Sequence, residues 1–387
     1  MHHNHTVLGQ MLQMFPRYEF EKAVREAKTE RHARGFSSWS HFTAMLFGQL
    51  AGQDSLRGIE AGLATQANQL YHLGVRPVHR STLAYANEHR SHELFEKIFF
   101  FMLSKCKPIA PRHKFRFKNP LYSLDATTID LCLSLYDWAK FRTTKGGIKL
   151  HMKLDHSGYL PSFAVVTTGM VHEQTVARSI PFEKNDVIVF DRGYTDFAWF
   201  RTLSERGICF FTRTRKNTAY RVIEKRDTRQ LPNILSDHVI RFVWRRARKT
   251  YPYPLRCVRS KDPLTGKVIT ILTNQLSWSA RTVADVYKDR WKIELFFKAL
   301  KQQLKVKSFV GTSKNALLSQ LWSALIAYLL LSYLKFKSRF SWSLYTLSSI
   351  LPTNLFSRRN LWDWLNAPFQ ASSPPLSKVI QYELVFS

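Results

Sequence analysis

The chain has 387 residues, with 58 Lys+Arg against 28 Asp+Glu, a net charge of +30 and a pI of about 10.2. That balance argues against a basic partner and points to a polyanion: nucleic acid or an anionic membrane face. Apolar residues at 45% exclude global disorder. Cys106, Cys132, Cys209 and Cys257 are scattered without a Cys-x-x-Cys pair, which excludes a disulfide scaffold, gives no zinc-finger signal and fits a reducing cytosol.

The N-terminus shows no secretory signal, and His2, His3 and His5 read as a solvated tail. Residues 6 to 106 read as helical: apolar residues recur at three and four in Met45, Leu46, Leu50 and in Leu94, Phe95, Ile98, Phe99. Ser38 and Ser81 are expected N-caps. Ser81 to Asn87, flanked by Arg80 and Arg90, is either a DNA-reading helix or an ordinary surface helix. A basic, Pro-containing linker spans 108–120.

The pattern then changes to strands. Leu121 to Leu135 is rich in apolar residues and Thr, and Lys149 to Leu154 and Leu160 to Thr168 flank a turn at His156-Ser157-Gly158-Tyr159. Val187 to Phe190 is a continuous apolar run, as in a strand buried on both faces, and ends at Asp191. A helix from about Phe197 to Glu205, capped by Thr195 or Asp196, precedes a strand at Ile208 to Thr212. The expected class is α/β with a mixed sheet.

Residues 212–275 carry 16 Lys+Arg against 4 acids, with β-like runs at His238 to Trp244, Leu255 to Val258 and Lys267 to Leu272. This predicts a small basic β insertion. One long helix is expected from Ala280 to Gln303. Ala316 to Leu334 is apolar enough to need a membrane check, but Ser319, Gln320, Ser323 and Ser332 interrupt it, which predicts a buried core helix and no membrane partner. The expected domains are 1–107 helical and DNA-end-binding, 108–120 linker, 121–211 catalytic core, 212–275 insertion, 276–340 last part of the core, and 341–387 a C-terminal region.

On the long helix, Tyr287, Arg290, Glu294 and Lys301 fall within about 60° of arc at ~100° per residue. Glu294 is thus the one carboxylate on a stripe of cations and a phenol. Asp285 and Asp289 point the other way, and Trp291, beside the stripe, reads as core. A solvated helix face explains Lys301 easily; it explains less well why Leu295-Phe296-Phe297 follow Glu294. Asp125 sits in an apolar strand and Asp191 caps another, where ligands of α/β sheets bind. Such carboxylates repel one another. A divalent cation removes the conflict, and two Asp with one Glu could hold two Mg²⁺ for phosphoryl transfer. Taken singly, Asp125 and Asp191 are each better explained as turn or cap residues.

The spacing Tyr287-x2-Arg290-x3-Glu294-x6-Lys301, with Ser123-Leu124-Asp125-Ala126-Thr127-Thr128 and Val189-Phe190-Asp191-Arg192-Gly193-Tyr194, resembles the DDE transposases of bacterial insertion sequences, specifically the insertion sequence four family. The resemblance is strong over 120–335. It implies an RNase H-like catalytic core with a β-rich insertion, helices before and after it, and a metal-binding catalytic triad of Asp125, Asp191 and Glu294. Two Mg²⁺ (or Mn²⁺) ions would serve cleavage of transposon ends and their joining to target DNA. Tyr287, Arg290 and Lys301 would contact phosphate. Trp244, followed by Arg245 and Arg246, is the candidate for stacking a flipped base, with a core tryptophan as the alternative. The implied partner is double-stranded DNA, both ends and target, bound by a homodimer in the cytoplasm at the nucleoid. A nuclease of the same fold, or a silent DNA-binding remnant, are the rival readings.

Overall fold

The computed structural model describes residues 5–31, 35–131, 136, 138, 140–142, 145–214, 218–302, 304 and 310–369. His2, His3, Cys132, Gln303 and the chain beyond Phe369 lie outside the described residues.

The chain opens with helices α1 (Val7–Leu12), α2 (Arg17–Ala27), α3 (Ser38–Leu50), α4 (Leu56–Ala64), α5 (Arg80–His89) and α6 (Glu93–Cys106). The expected caps shift slightly. Ser37, not Ser38, caps α3, its hydroxyl accepting from the Ser40 N–H. His79 precedes α5, so Ser81 lies inside the helix rather than at its cap. Helix ends are set by local hydrogen bonds that sequence locates only to within a residue or two.

Ten strands among the described residues form one sheet: β1 (Leu121–Leu131), β2 (Lys140–Arg142), β3 (Lys145–Asp155), β4 (Leu160–Thr168), β5 (Val187–Phe190), β6 (Cys209–Arg213), β7 (Tyr220–Arg226), β8 (Ile234–Phe242), β9 (Leu255–Lys261) and β10 (Val268–Thr273). β3 pairs antiparallel with β1 on one side and with β4 on the other. β1, β5 and β6 run parallel. This β4-β3-β1-β5-β6 order is the RNase H-like arrangement. The basic segment does not close into a sheet of its own: β10 pairs antiparallel with β6, and β9, β8 and β7 continue the same sheet outward.

Between strands lie α7 (Glu173–Ala177), α8 (Phe197–Glu205) and α9 (Arg245–Thr250). Asp196 caps α8, accepting from the Ala198 and Trp199 N–H groups. After the sheet, the expected single helix is two: α10 (Ala280–Asp289) and α11 (Trp291–Gln302), broken at Arg290. Then follow α12 (Lys314–Lys337), α13 (Leu344–Ile350) and α14 (Leu361–Asn366).

By length and composition α12 is the one helix among the described residues able to cross a membrane, yet it is buried, packed by α3, α5 and α6. Three of its four polar interruptions are satisfied inside the fold, while the buried Ser319 hydroxyl has no hydrogen-bond partner among the described residues. Ser323 and Ser332 donate to the Ser319 and Tyr328 carbonyls, and Gln320 Oε1 accepts from the Val310 N–H. α12 therefore joins the N-terminal helices to the sheet in one core. A second core forms under α8. A third lies between α10 and the opposite sheet face, where Leu121, Val187, Val189 and Phe211 meet Val283, Val286 and Tyr287.

Candidate active site

That third core fixes where the polar residues fall. Side chains two apart on a strand share a face. Two residues beyond buried Val189 comes Asp191, and two beyond buried Phe211 comes Arg213. Register then aligns them. Leu124 pairs with Phe190, so Asp125 and Asp191 sit side by side on neighbouring parallel chains. Val189 pairs with Phe211, so Arg213 lies next to Asp191.

Asp125 Oδ1 accepts from the Ala126 N–H at 2.8 Å, and Oδ2 lies 3.5 Å from Arg290 Nη1. Burial pushes the Asp125 carboxyl up to about 6, against the pull of the Ala126 N–H and Arg290. Asp191 Oδ1 accepts from the Gly193 N–H at 2.5 Å, and Oδ2 pairs with Arg213 Nη2 at 3.2 Å. From α11, Glu294 Oε1 accepts from Arg290 Nη2 at 2.6 Å. Burial opposes the charge on Arg290, but Tyr287, Asp125 and Glu294 hold its pKa above the usual value. Arg290 thus bridges Glu294, four residues away on α11, and Asp125 of β1, 165 residues away in the chain. Lys301 Nζ donates to the Thr128 carbonyl of β1 at 2.9 Å, so α11 lies along the strand that carries Asp125.

Tyr287 is 95% buried (5% exposed), burial pushing its phenol up. Its hydroxyl, Arg290 Nε and Arg213 Nε are buried donors without a hydrogen-bond partner in the protein. All three surround the carboxylates.

The structure thus brings Asp125, Asp191, Glu294, Tyr287, Arg290 and Lys301 together. Trp244, Arg245 and Arg246 stand apart, at the turn from β8 into α9. Trp244 is 68% exposed, which removes the core alternative, and both arginines are exposed. Trp291, expected in the core, is 57% exposed. Asp285 is exposed beside Arg281, but Asp289 is buried at 4%.

Two residues near the site carry no sequence signal. Arg213 is visible only through the β5–β6 register. Glu173, at the start of α7, sits across Gly193 from Asp191: a Cβ on Gly193 would lie 2.7 Å from Glu173 Oε2 and 3.4 Å from Asp191 Oδ1. The same region raises the Tyr194 phenol well above its usual range, through burial and the charges of Asp125, Glu173 and Asp191.

An all-oxygen set of two aspartates and a glutamate suits Mg²⁺ or Mn²⁺. The Asp125 carboxyl, raised by desolvation against the pull of Arg290, fits a cation, and guanidinium groups already contact all three acids. As they stand, no three such side chains among the described residues converge closely enough to hold an ion. Arg290 separates Asp125 from Glu294.

Residues 116–330 match the family model described as the transposase DDE domain. The chain belongs to that family. Residues 3–76 also match a domain of unknown function. Among relatives, a protein designated a transposase, y4zB of Sinorhizobium fredii, is 30% identical over 72% of this chain and 78% of its own. One designated the transposase of insertion sequence element IS5377, from Geobacillus stearothermophilus, is 29% identical over 67% and 68%. One designated that of element IS4SA, from Synechocystis, is 24% identical over 66% and 71%. A solved piggyBac transposase synaptic complex with hairpin DNA aligns at 12% identity, TM-score 0.45, over 94% of this chain and 82% of that one. This DDE transposase belongs with those of insertion sequences, and the family works with divalent metal ions.

Proposed function

We propose that this transposase binds the terminal inverted repeats of an insertion sequence, cleaves the DNA at its ends and joins the 3′-OH ends to target DNA. The observation that carries the reading is the β1–β5 register, which sets Asp125 beside Asp191 while Arg290 draws Glu294 of α11 toward them. Asp125, Asp191 and Glu294 would hold two Mg²⁺ or Mn²⁺ ions. Bound there, such ions supply activation of the attacking oxygen and charge stabilisation at the leaving oxygen.

The chain's own residues do the rest. The orphaned donors of Tyr287, Arg290 and Arg213 offer hydrogen bonds that phosphate oxygens can accept. Lys301 adds a cation on the same stripe. Trp244 stacks a base displaced from the duplex end, with Arg245 and Arg246 on the adjacent phosphates. The N-terminal helices, 1–107, recognise the ends. α5 turns Arg80, Ser81, Thr82, Ala84 and Tyr85 to solvent, the exposed face a DNA-reading helix requires. The segment 108–120 links them to a core formed by 121–211 and 276–340, with 212–275 as the insertion and 341–387 as the C-terminal region. Two ends require two active sites, hence a homodimer on DNA inside the bacterial cell.

The test is a strand-transfer assay with pre-cut terminal-repeat duplexes and Mg²⁺. Joined products are expected. Cleavage of intact ends without joining would make the protein a nuclease, and end binding with neither reaction would make it a silent remnant.

A further inference from the structure

Behind the carboxylates runs a second polar array that the phosphoryl-transfer reading does not use. Ser123 Oγ lies 2.7 Å from His156 Nε2, and His156 Nδ1 lies 2.7 Å from Asp289 Oδ2. Lys114 Nζ donates to Asp289 Oδ1 at 2.6 Å, and the Tyr159 hydroxyl reaches Oδ2 at 3.4 Å. The connectivity is that of a Ser-His-Asp hydrolase triad. Exposure rules out that use: Ser123 is 0%, His156 1% and Asp289 4% exposed, and Ser123 sits within a central strand paired on both sides. No substrate carbonyl reaches that hydroxyl.

Its place in the fold suggests another role. Ser123 is two residues before Asp125 on β1, so both side chains lie on the same sheet face. His156 follows β3 at the hairpin turn, and its own N–H is tied to the Leu121 carbonyl at 2.9 Å. Asp289 is the last residue of α10, immediately before the break at Arg290. Lys114 comes from the linker. Each partner belongs to a different element, and the array joins the strand carrying Asp125 to the helix break carrying Arg290 and Glu294. Nothing in the local sequence at Asp289-Arg290-Trp291, with neither Gly nor Pro, demands a break there. The buried bonds to Asp289 anchor one side of it. Burial opposes the charge on Asp289, but hydrogen bonds from His156 and Lys114 hold its carboxyl down at about 2, so the anchor is ionised at any working pH.

We propose that Ser123, His156 and Asp289 form a positioning relay that sets α11, and with it Arg290 and Glu294, against Asp125. These are positioning residues: they touch neither DNA nor the reacting atoms. The proposal rests on Asp125 and Glu294 being the metal-holding acids.

The experiment uses the full-length protein and three variants, Ser123→Ala, Asp289→Asn and the double variant, with Asp125→Ala as reference. Three quantities are measured at a temperature where circular dichroism shows every protein folded. They are the dissociation constant for a pre-cut duplex end, Mn²⁺ affinity of the DNA-free protein by electron paramagnetic resonance, and the joining rate at saturating DNA. Each relay variant is expected to bind ends within twofold of wild type, yet to lose at least fivefold in Mn²⁺ affinity and tenfold in saturating rate. The double variant loses no more than about the worse single one, because the residues act as one unit. Relay variants with a lowered melting temperature but wild-type Mn²⁺ affinity and rate would show a merely structural array and overturn the proposal. If Asp125→Ala itself leaves Mn²⁺ affinity and joining intact, the underlying assignment of the acids fails instead.

Discussion

Asp125 offers a test that needs no DNA. Its carboxyl is pushed up to about 6 by burial, where an exposed aspartate titrates near 3.9. A cation bound there displaces the proton, so affinity depends on the fraction already ionised. At pH 5 that fraction is roughly one in ten, and at pH 8 nearly all is ionised. Mn²⁺ affinity should therefore be level above pH 7 and fall below pH 6, losing about tenfold, or about 1.4 kcal/mol, by pH 5. An aspartate at its ordinary value would change affinity by less than about 1.2-fold over the same span. The assay is a Mn²⁺ titration of the DNA-free transposase by electron paramagnetic resonance at pH 5, 6, 7 and 8. Asp125→Asn should bind weakly and without that pH dependence. Equal wild-type affinity at pH 5 and pH 8, or the same fall in Asp125→Asn, would refute the reasoning.

His41, fully buried with Nε2 at 2.7 Å from Asn87 Oδ1, is pushed down to about 4 by burial. Its unfolded state binds the proton first, so stability present at neutral pH is lost as pH falls from about 6.5 to 4, on the order of 3 kcal/mol; urea melts at pH 7 and 4.5 measure it. In the insertion, Arg256 holds Asp237 through two bonds of 2.8 and 2.6 Å, both residues buried. Arg256→Met should cost about 3–5 kcal/mol by stranding the carboxylate, and Arg256→Met with Asp237→Leu should recover most of it in the same melts. End binding should weaken with salt at a log–log slope steeper than about −4, as expected if several phosphates are neutralised; a slope near zero in a salt series of gel shifts would contradict extensive phosphate contact.

Much of this molecule is legible without coordinates, for identifiable reasons. Val187 to Phe190 reads as a central strand because burial on both faces leaves an unbroken apolar run, and Asp191 stands out where the run stops. The serines of α12 signal a core helix because hydroxyls can bond back to their own helix. β7 escapes because it is the outermost strand of the sheet: Tyr220–Arg226 has no fully buried residue and so no apolar alternation. The break at Arg290 escapes because its anchor is tertiary. Asp289 lies in a buried array rather than at the surface, so Asp289→Ala should disturb the anchor of the helix break. Arg213 and Glu173 join the site through strand register and the packing of Gly193, neither of which leaves a mark in linear sequence.

The central claim is that Asp125, Asp191 and Glu294 perform the chemistry while the basic surface performs binding. The direct measurement is a gel assay of end binding, nicking and joining by Asp125→Ala, Asp191→Ala and Glu294→Ala in Mg²⁺ and in Mn²⁺. Each variant should bind terminal repeats at least as well as wild type, since losing an acid reduces repulsion of phosphate, and each should lose nicking and joining with both metals. Robust cleavage by any one of the three, Glu294→Ala above all, would contradict the account.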